Sequence, residues 1–429
     1  MNKKIIRSWA LYDWANSAFA TTIMAAVLPI FYTYVAASTI DPTLATSYWG
    51  YTQSIAVLIV AILAPILGAI SDYTASKMKF LRFFAILGML STLLLVFVDS
   101  GEYFFASLIV ILGTVGFSGA NVFYDAFLPE VAKGSNIDRV SSMGYALGYF
   151  GGGILLAINL FMIQNPSWFG LASETAGTKL AFVTVSIWWF VFSIPLFTNV
   201  KDHTLTEHKP RPTSYVKLGF SRVGRTFKEI NQYKQLTLFL VAFWLYNDGI
   251  STIIVMATSY GASIGIGSSH MIAALLITQF VGIPCTFLFG WLAERITGKK
   301  ALLFSLYVYV VIILLGFFMT SAVHFYILAT LVGVVQGGAQ ALSRSLFGKM
   351  APPDRHAEFF GFFGISSKFA AIFGPFLFAT VGALTGSSRM GILSILLFFI
   401  VGVILLHKID VHKGIEEAEN ATNHKLATR

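Results

Sequence analysis

Apolar residues run along this chain in stretches of about twenty, separated by short polar segments, and each such stretch is long enough to cross a bilayer as a helix. Twelve windows meet the pattern: 7–36, 48–71, 80–98, 103–127, 140–163, 178–199, 236–260, 270–293, 301–320, 325–347, 359–382 and 390–407. The longest polar stretch, 200–234, falls between the sixth and the seventh. The pattern therefore predicts an all-α integral membrane protein of twelve transmembrane helices in two six-helix bundles. Residues 1–199 form the first bundle, 200–235 a cytoplasmic linker, 236–407 the second bundle, and 408–429 a cytoplasmic tail. In the linker, Lys209-Pro210-Arg211-Pro212 breaks any helix, and Val216, Phe220, Val223, Phe227 and Ile230 then recur at helical spacing. That spacing predicts an amphipathic helix over 214–230, either interfacial or a plain tether. The tail is charged and is expected to be disordered.

The two sets of spans repeat. Gly68-Ala69-Ile70-Ser71-Asp72, followed by Lys77 and Lys79, ends the second span; Gly290-Trp291-Leu292-Ala293-Glu294-Arg295, followed by Lys299 and Lys300, ends the eighth. Leu11-Tyr12-Asp13 answers to Leu245-Tyr246-Asn247, and Gly119-Ala120-Asn121 to Gly338-Ala339-Gln340. Weak similarity in matching order marks an old duplication, and repeated halves inside a membrane place a transport site between them.

Composition narrows the classes. With 56% hydrophobic and 11% charged residues, most of the chain must lie in lipid. The net charge of +9 would suit nucleic acid, but about 25 of the 29 Lys and Arg fall on the side of the amino terminus. This is the positive-inside bias, and it places both termini in the cytoplasm of a cell-membrane protein. Lys3, Lys4 and Arg7 ahead of the first span resemble a signal peptide, but the apolar run is too long and is interrupted by Asp13 and Asn16, so an uncleaved helix is expected. One cysteine, Cys285, and eight dispersed histidines leave no metal cluster to predict.

Ionisable residues inside lipid are costly, so each is a functional candidate. Asp13 shares a helical face with Asn16, beside Tyr12; Tyr246, Asn247 and Asp248 form the related cluster in the seventh span. Asn121, Tyr124 and Asp125 share a face of the fourth. Gln336, Gln340 and Arg344 are spaced by four along the tenth. Lys368 lies about ten residues into the eleventh span, roughly 15 Å deep at 1.5 Å per residue. Charges of both signs, with Tyr145 and Tyr149 among the surrounding aromatics, suit a zwitterionic or otherwise polar solute. Asp13, Asp125 and Asp248 are the candidate proton carriers. The alternative for Asp125 and Arg344 is an internal ion pair that locks helices together. Glycines at 144, 148 and 152 make a flat stripe for close helix packing, static or sliding.

The glycine-acid-basic loop in both halves resembles the signature loop of the major facilitator superfamily. More narrowly, the segments Ser8-Trp9-Ala10-Leu11-Tyr12-Asp13-Trp14-Ala15-Asn16-Ser17, Phe123-Tyr124-Asp125-Ala126-Phe127-Leu128-Pro129-Glu130 and Gln340-Ala341-Leu342-Ser343-Arg344-Ser345 resemble its vacuole-effluxer-like branch. So do Ser142-Met143-Gly144-Tyr145 and Glu358-Phe359-Phe360-Gly361 with Lys368 and Gly374-Pro375. The resemblance implies alternating access between two bundles, and for fungal members amino-acid export from the vacuole. Gly68, Asp72, Lys77, Gly290, Glu294 and Arg295 would then gate the cytoplasmic side. The first loop has Tyr73 where the family places a basic residue and Ser76 where glycine is common, so its gate is expected to be weaker than the second.

The leading reading is a secondary transporter for a small polar metabolite such as an amino acid, with proton coupling open. Its partners would be that solute and membrane lipid, with no nucleic acid and no cofactor, and the chain would act as a monomer. A transporter of sugars, nucleosides or drug-like compounds is the nearest rival. A membrane enzyme on lipid-linked substrates would need a catalytic constellation, and no close His and Asp pair, Gly-x-Ser-x-Gly elbow or zinc motif is present. Nor is there a Gly-x-x-x-x-Gly-Lys-Ser/Thr loop for ATP.

Overall fold

The computed structural model describes residues 3–40, 42–132, 136–202 and 232–427, with a few positions within 217–224. Helix dominates these residues, and they contain no strand. Six helices form the first half: α1 Lys3–Ala36, α2 Pro42–Thr74, α3 Lys77–Leu94, α4 Tyr103–Ala126, α5 Asn136–Gln164 and α6 Glu174–Asn199. The second half has α7 Lys234–Ser263, α8 Ser268–Ile296, α9 Gly298–Phe317, α10 Ala322–Met350, α11 His356–Thr385 and α12 Ser388–Lys408. Eleven of them are long and apolar enough to cross a membrane on their described residues, and α11 adds the apolar stretch Phe373–Gly382.

Local chemistry sets where these helices start and stop. Ser173 and Ser321 accept the amides of Ala176 and His324 through their hydroxyls, capping α6 and α10. Gly386 ends α11 in the left-handed conformation that a side chain would strain. Pro65 of α2 and Pro284 of α8 each remove a backbone donor from their helix. The outer part of α1 is wound more widely, over Phe19–Val27 and Tyr32–Ala36.

Packing repeats between the halves. Helix α1 lies on α5 and α6 while α2 and α3 lie on α4; six helices later, α7 lies on α11 and α12 while α8 and α9 lie on α10. The halves then meet along α2 with α11 and along α5 with α8 and α10. Lipid offers no hydrophobic drive for such contacts, so close approach and polar partners must hold them. Of the glycine stripe on α5, Gly148 and Gly152 pack within their own half against Ser17 and Thr21 of α1, while Gly144 faces both Asp13 and, from the other half, Arg344.

The expected linker helix over 214–230 lies almost wholly outside the described residues, as do His203 and His208. The tail departs from expectation. It forms a helix, α13 Val411–Ala427, rather than a disordered segment. Gly414 and Ala418 are buried and Val411 and Ile415 half-buried, a spacing of three and four that presents one face to the protein. Glu417 accepts the Gln235 amide at 2.9 Å, so an acid caps the first turn of α7.

A candidate site on the seam between the bundles

Asp13, Asp125 and Arg344 meet where the halves touch, toward the face that carries both chain ends. From α10, Arg344 reaches Asp125 Oδ1 of α4 at 3.0 Å and Asp13 Oδ2 of α1 at 3.2 Å. Asp13 also accepts the Tyr124 hydroxyl at 2.9 Å. The guanidinium lies 4.2 Å from the Tyr145 ring centroid and 4.9 Å from that of Trp9. Ser141 takes two further guanidinium donors, on its hydroxyl at 3.0 Å and its carbonyl at 2.9 Å. A buried arginine needs this many partners to offset its lost hydration. Gly144 makes the room, since a Cβ there would stand 2.4 Å from Asp13 Oδ2. Two carboxylates share one cation, so the charges that touch in this cluster sum to one negative.

Further toward the membrane centre the seam becomes neutral. Tyr149 donates to Gln340 at 3.0 Å across the halves, and Asn16 donates to Asn121 at 2.6 Å within the first. Gln336 stands one turn beyond Gln340, at the edge of an apolar cavity of about 100 Å³ inside the second bundle. Amides and phenols in such a position can exchange protein partners for those of a polar solute without a charge penalty.

The two loop signatures behave differently. Asp72 accepts the amides of Ala357 at 3.2 Å and Glu358 at 2.9 Å, so an acid from the first half caps the start of α11 in the second. Lys77, 3.1 Å from Asp72 and 2.5 Å from Glu130, braces it. Gly68 allows the approach, because its Cβ would lie 2.4 Å from the Ala357 carbonyl oxygen. Gly290 likewise abuts Ser142, but Glu294 is exposed and comes only within 4.0 Å of Arg139. Arg295 lies over Trp291 on its own helix. In contacts across the seam, the first loop is the better held of the two. The absent basic residue after Asp72 is replaced by Lys77 and by the helix end itself, which supplies the positive partner.

Other candidates are placed elsewhere. Asp248 is buried in the second half and accepts the Gly374 amide at 2.9 Å, next to Pro375 inside α11. Tyr246 bonds Ser343 at 2.7 Å. Asn247 is half-buried on α7. Lys368 lies on α11, but its side chain is outside the described residues. Sequence reasoning missed Trp9, Ser141 and Asp138 as partners, because what they touch is separated from them by more than a hundred residues. Outside the membrane, Asp202 follows α6 and accepts the Met78 amide at 3.0 Å; burial pushes its carboxyl above the usual range, and that amide draws it partly back.

Two six-helix bundles that meet through charged and helix-end contacts on one face define a major facilitator transporter. The comparisons agree. The family model described as "Vacuole effluxer Atg22 like" matches residues 39–137 and 132–419. An uncharacterized MFS-type transporter of Bacillus subtilis, YxiO, is 42% identical over 402 residues, 93% of each chain. Autophagy-related protein 22 of Yarrowia lipolytica is 26% identical over 86% of this chain and 76% of its own. In fold, the proton:xylose symporter XylE aligns with a TM-score of 0.72 at 13% identity, over 97% of this chain and 98% of that one. The transporter FucP, solved in its outward conformation, gives 0.70 at 14% identity, over 95% and 100%. The chain belongs to the vacuole effluxer Atg22-like family of the major facilitator superfamily.

Proposed function

We propose that this transporter carries a small zwitterion, an amino acid or a close relative, across the cell membrane by rocking its two bundles about a central site. The termini face is cytoplasmic in this reading, as the concentration of Lys and Arg there supports. The observation that carries it is the Arg344 cluster: a cation of one half holds two acids of the other, so the contact exists only while this face is closed. Opening the face frees an arginine and a carboxylate together, the pair needed to receive a carboxylate and an amine. Asn16, Asn121, Tyr145, Tyr149, Gln336 and Gln340 complete the polar lining. Because the cluster holds one carboxylate more than it holds cations, a single proton neutralises it, and this gives proton coupling a physical seat. Membership of a family of effluxers favours export.

Purified protein in vesicles, given a panel of labelled amino acids, sugars and nucleosides with and without a proton gradient, tests the reading. Zwitterions are expected to move, and Arg344→Gln to slow them by at least about tenfold, the scale of one charge-assisted hydrogen bond. Transport confined to sugars or nucleosides, or an unaffected Arg344→Gln, overturns it.

A further inference from the structure

The second seam closes on an acid that the repeated loops do not point to. By the repeat, Glu294 at the end of α8 should meet the start of α5 as Asp72 meets the start of α11. It does not: its contact is at 4.0 Å with Arg139, whose side chain is 72% exposed, a geometry that solvent screens to little. At the same place Asp138, in the first turn of α5 and buried, is clasped from the other half. Lys349 Nζ lies 2.5 Å from its Oδ2, and the Ser345 hydroxyl donates to its Oδ1 at 2.5 Å. Gly298, where α9 begins, comes so near that a Cβ there would stand 3.1 Å from Asp138 Oδ2. One turn along α5, the Ser141 hydroxyl donates to the Ala341 carbonyl at 2.8 Å. Asp138 and Lys349 line a recess of about 1300 Å³ on the termini face, so both would be hydrated at once if the halves parted.

We propose that Asp138, held by Lys349 and Ser345, is the second lock of this face, doing for α5 and α10 what Asp72 does for α2 and α11. The acid has changed sides of the seam: in the first lock it sits at the end of the incoming helix, in the second at the start of the receiving one. The proposal rests on the alternating-access reading above. The pair is made across the halves, with the Asp138 side chain 3% and that of Lys349 17% exposed, so it favours the closed face over the open one. Once the face opens, water solvates both groups and the pair contributes nothing.

The test uses the full chain with Cys285→Ala and a reporter at Ser142→Cys. Ser142 is buried against Gly290, its hydroxyl has no hydrogen-bond partner, and cysteine replaces it with little change of shape. A membrane-impermeant thiol reagent applied to the termini face labels it only when that face opens. Asp138→Asn and Lys349→Met are each expected to raise the labelling rate about tenfold with the unfolding midpoint held. The exchanged pair, Asp138→Lys with Lys349→Asp, is expected to bring the rate back. Should Asp138→Asn fail to fold, Ser345→Ala removes only the hydroxyl bond and is expected to give about a threefold rise. Unchanged labelling in these variants, while Asp72→Asn does raise it, overturns the second lock alone. A reporter that stays unlabelled in every variant and during active transport overturns the alternating-access reading beneath it.

Discussion

At the residue scale the central fact is the sharing of Arg344 between two acids of the opposite half. Asp13 is the better held, since it also accepts the Tyr124 hydroxyl. Asp125→Asn therefore leaves a neutral Asp13 and Arg344 pair; transport is expected to continue but to lose its dependence on pH, measured as initial rates from pH 5.5 to 8.5. Asp13→Asn removes the better-held acid and is expected to slow transport at every pH. Gly144→Ala places a methyl 2.4 Å from Asp13 Oδ2, and the strain of such overpacking, about 1–3 kcal/mol, is expected to loosen the cluster and lower the rate by about tenfold or more. Helical periodicity alone had put Asp13 beside Asn16 and aligned Gln336, Gln340 and Arg344. It could not say which charge faces which, because the partners come from helices more than two hundred residues apart.

At the element scale the twelve crossings were plain in the apolar windows, because length and hydropathy suffice to define a span. The tail was not, and the reason is physical. Among the described residues its apolar face is Val411, Ile415, Ala418 and Ala421, too sparse to stand out among charged neighbours, and α7 and α10 complete it. Removal of residues 411–429 deletes the Glu417 cap on α7 and the contact of Gly414 with Met350. That loss, about 1–2 kcal/mol, is expected to lower the unfolding midpoint by a few degrees in detergent. The loop signatures were likewise visible as a repeat, yet their basic residues serve different ends. Lys77 braces Asp72, whereas Lys299 donates to the carbonyls of His407 and Ile409 and so caps the end of α12.

For the whole molecule, the halves approach closely along a seam from Gly290 against Ser142 to Gly68 against Ala357. A chain with Cys285→Ala, Ser142→Cys and Gly290→Cys brings two thiols close enough for a disulfide after a small shift. Oxidation is expected to abolish transport and reduction to restore it, read as uptake into vesicles before and after dithiothreitol. Persistent transport in the oxidised chain would mean that this face need not open.

The surplus carboxylate in the Arg344 cluster has an electrical consequence. An elementary charge displaced through the full bilayer field is worth about 2.3 kcal/mol per 100 mV, and a cluster part of the way across feels a fraction of that. On the proton-coupled reading proposed above, the cluster carries a net charge without its proton and none with it. Imposing a voltage on vesicles should therefore alter turnover more in alkaline medium than in acid, which would make the cell's electrical state a control on when this protein works.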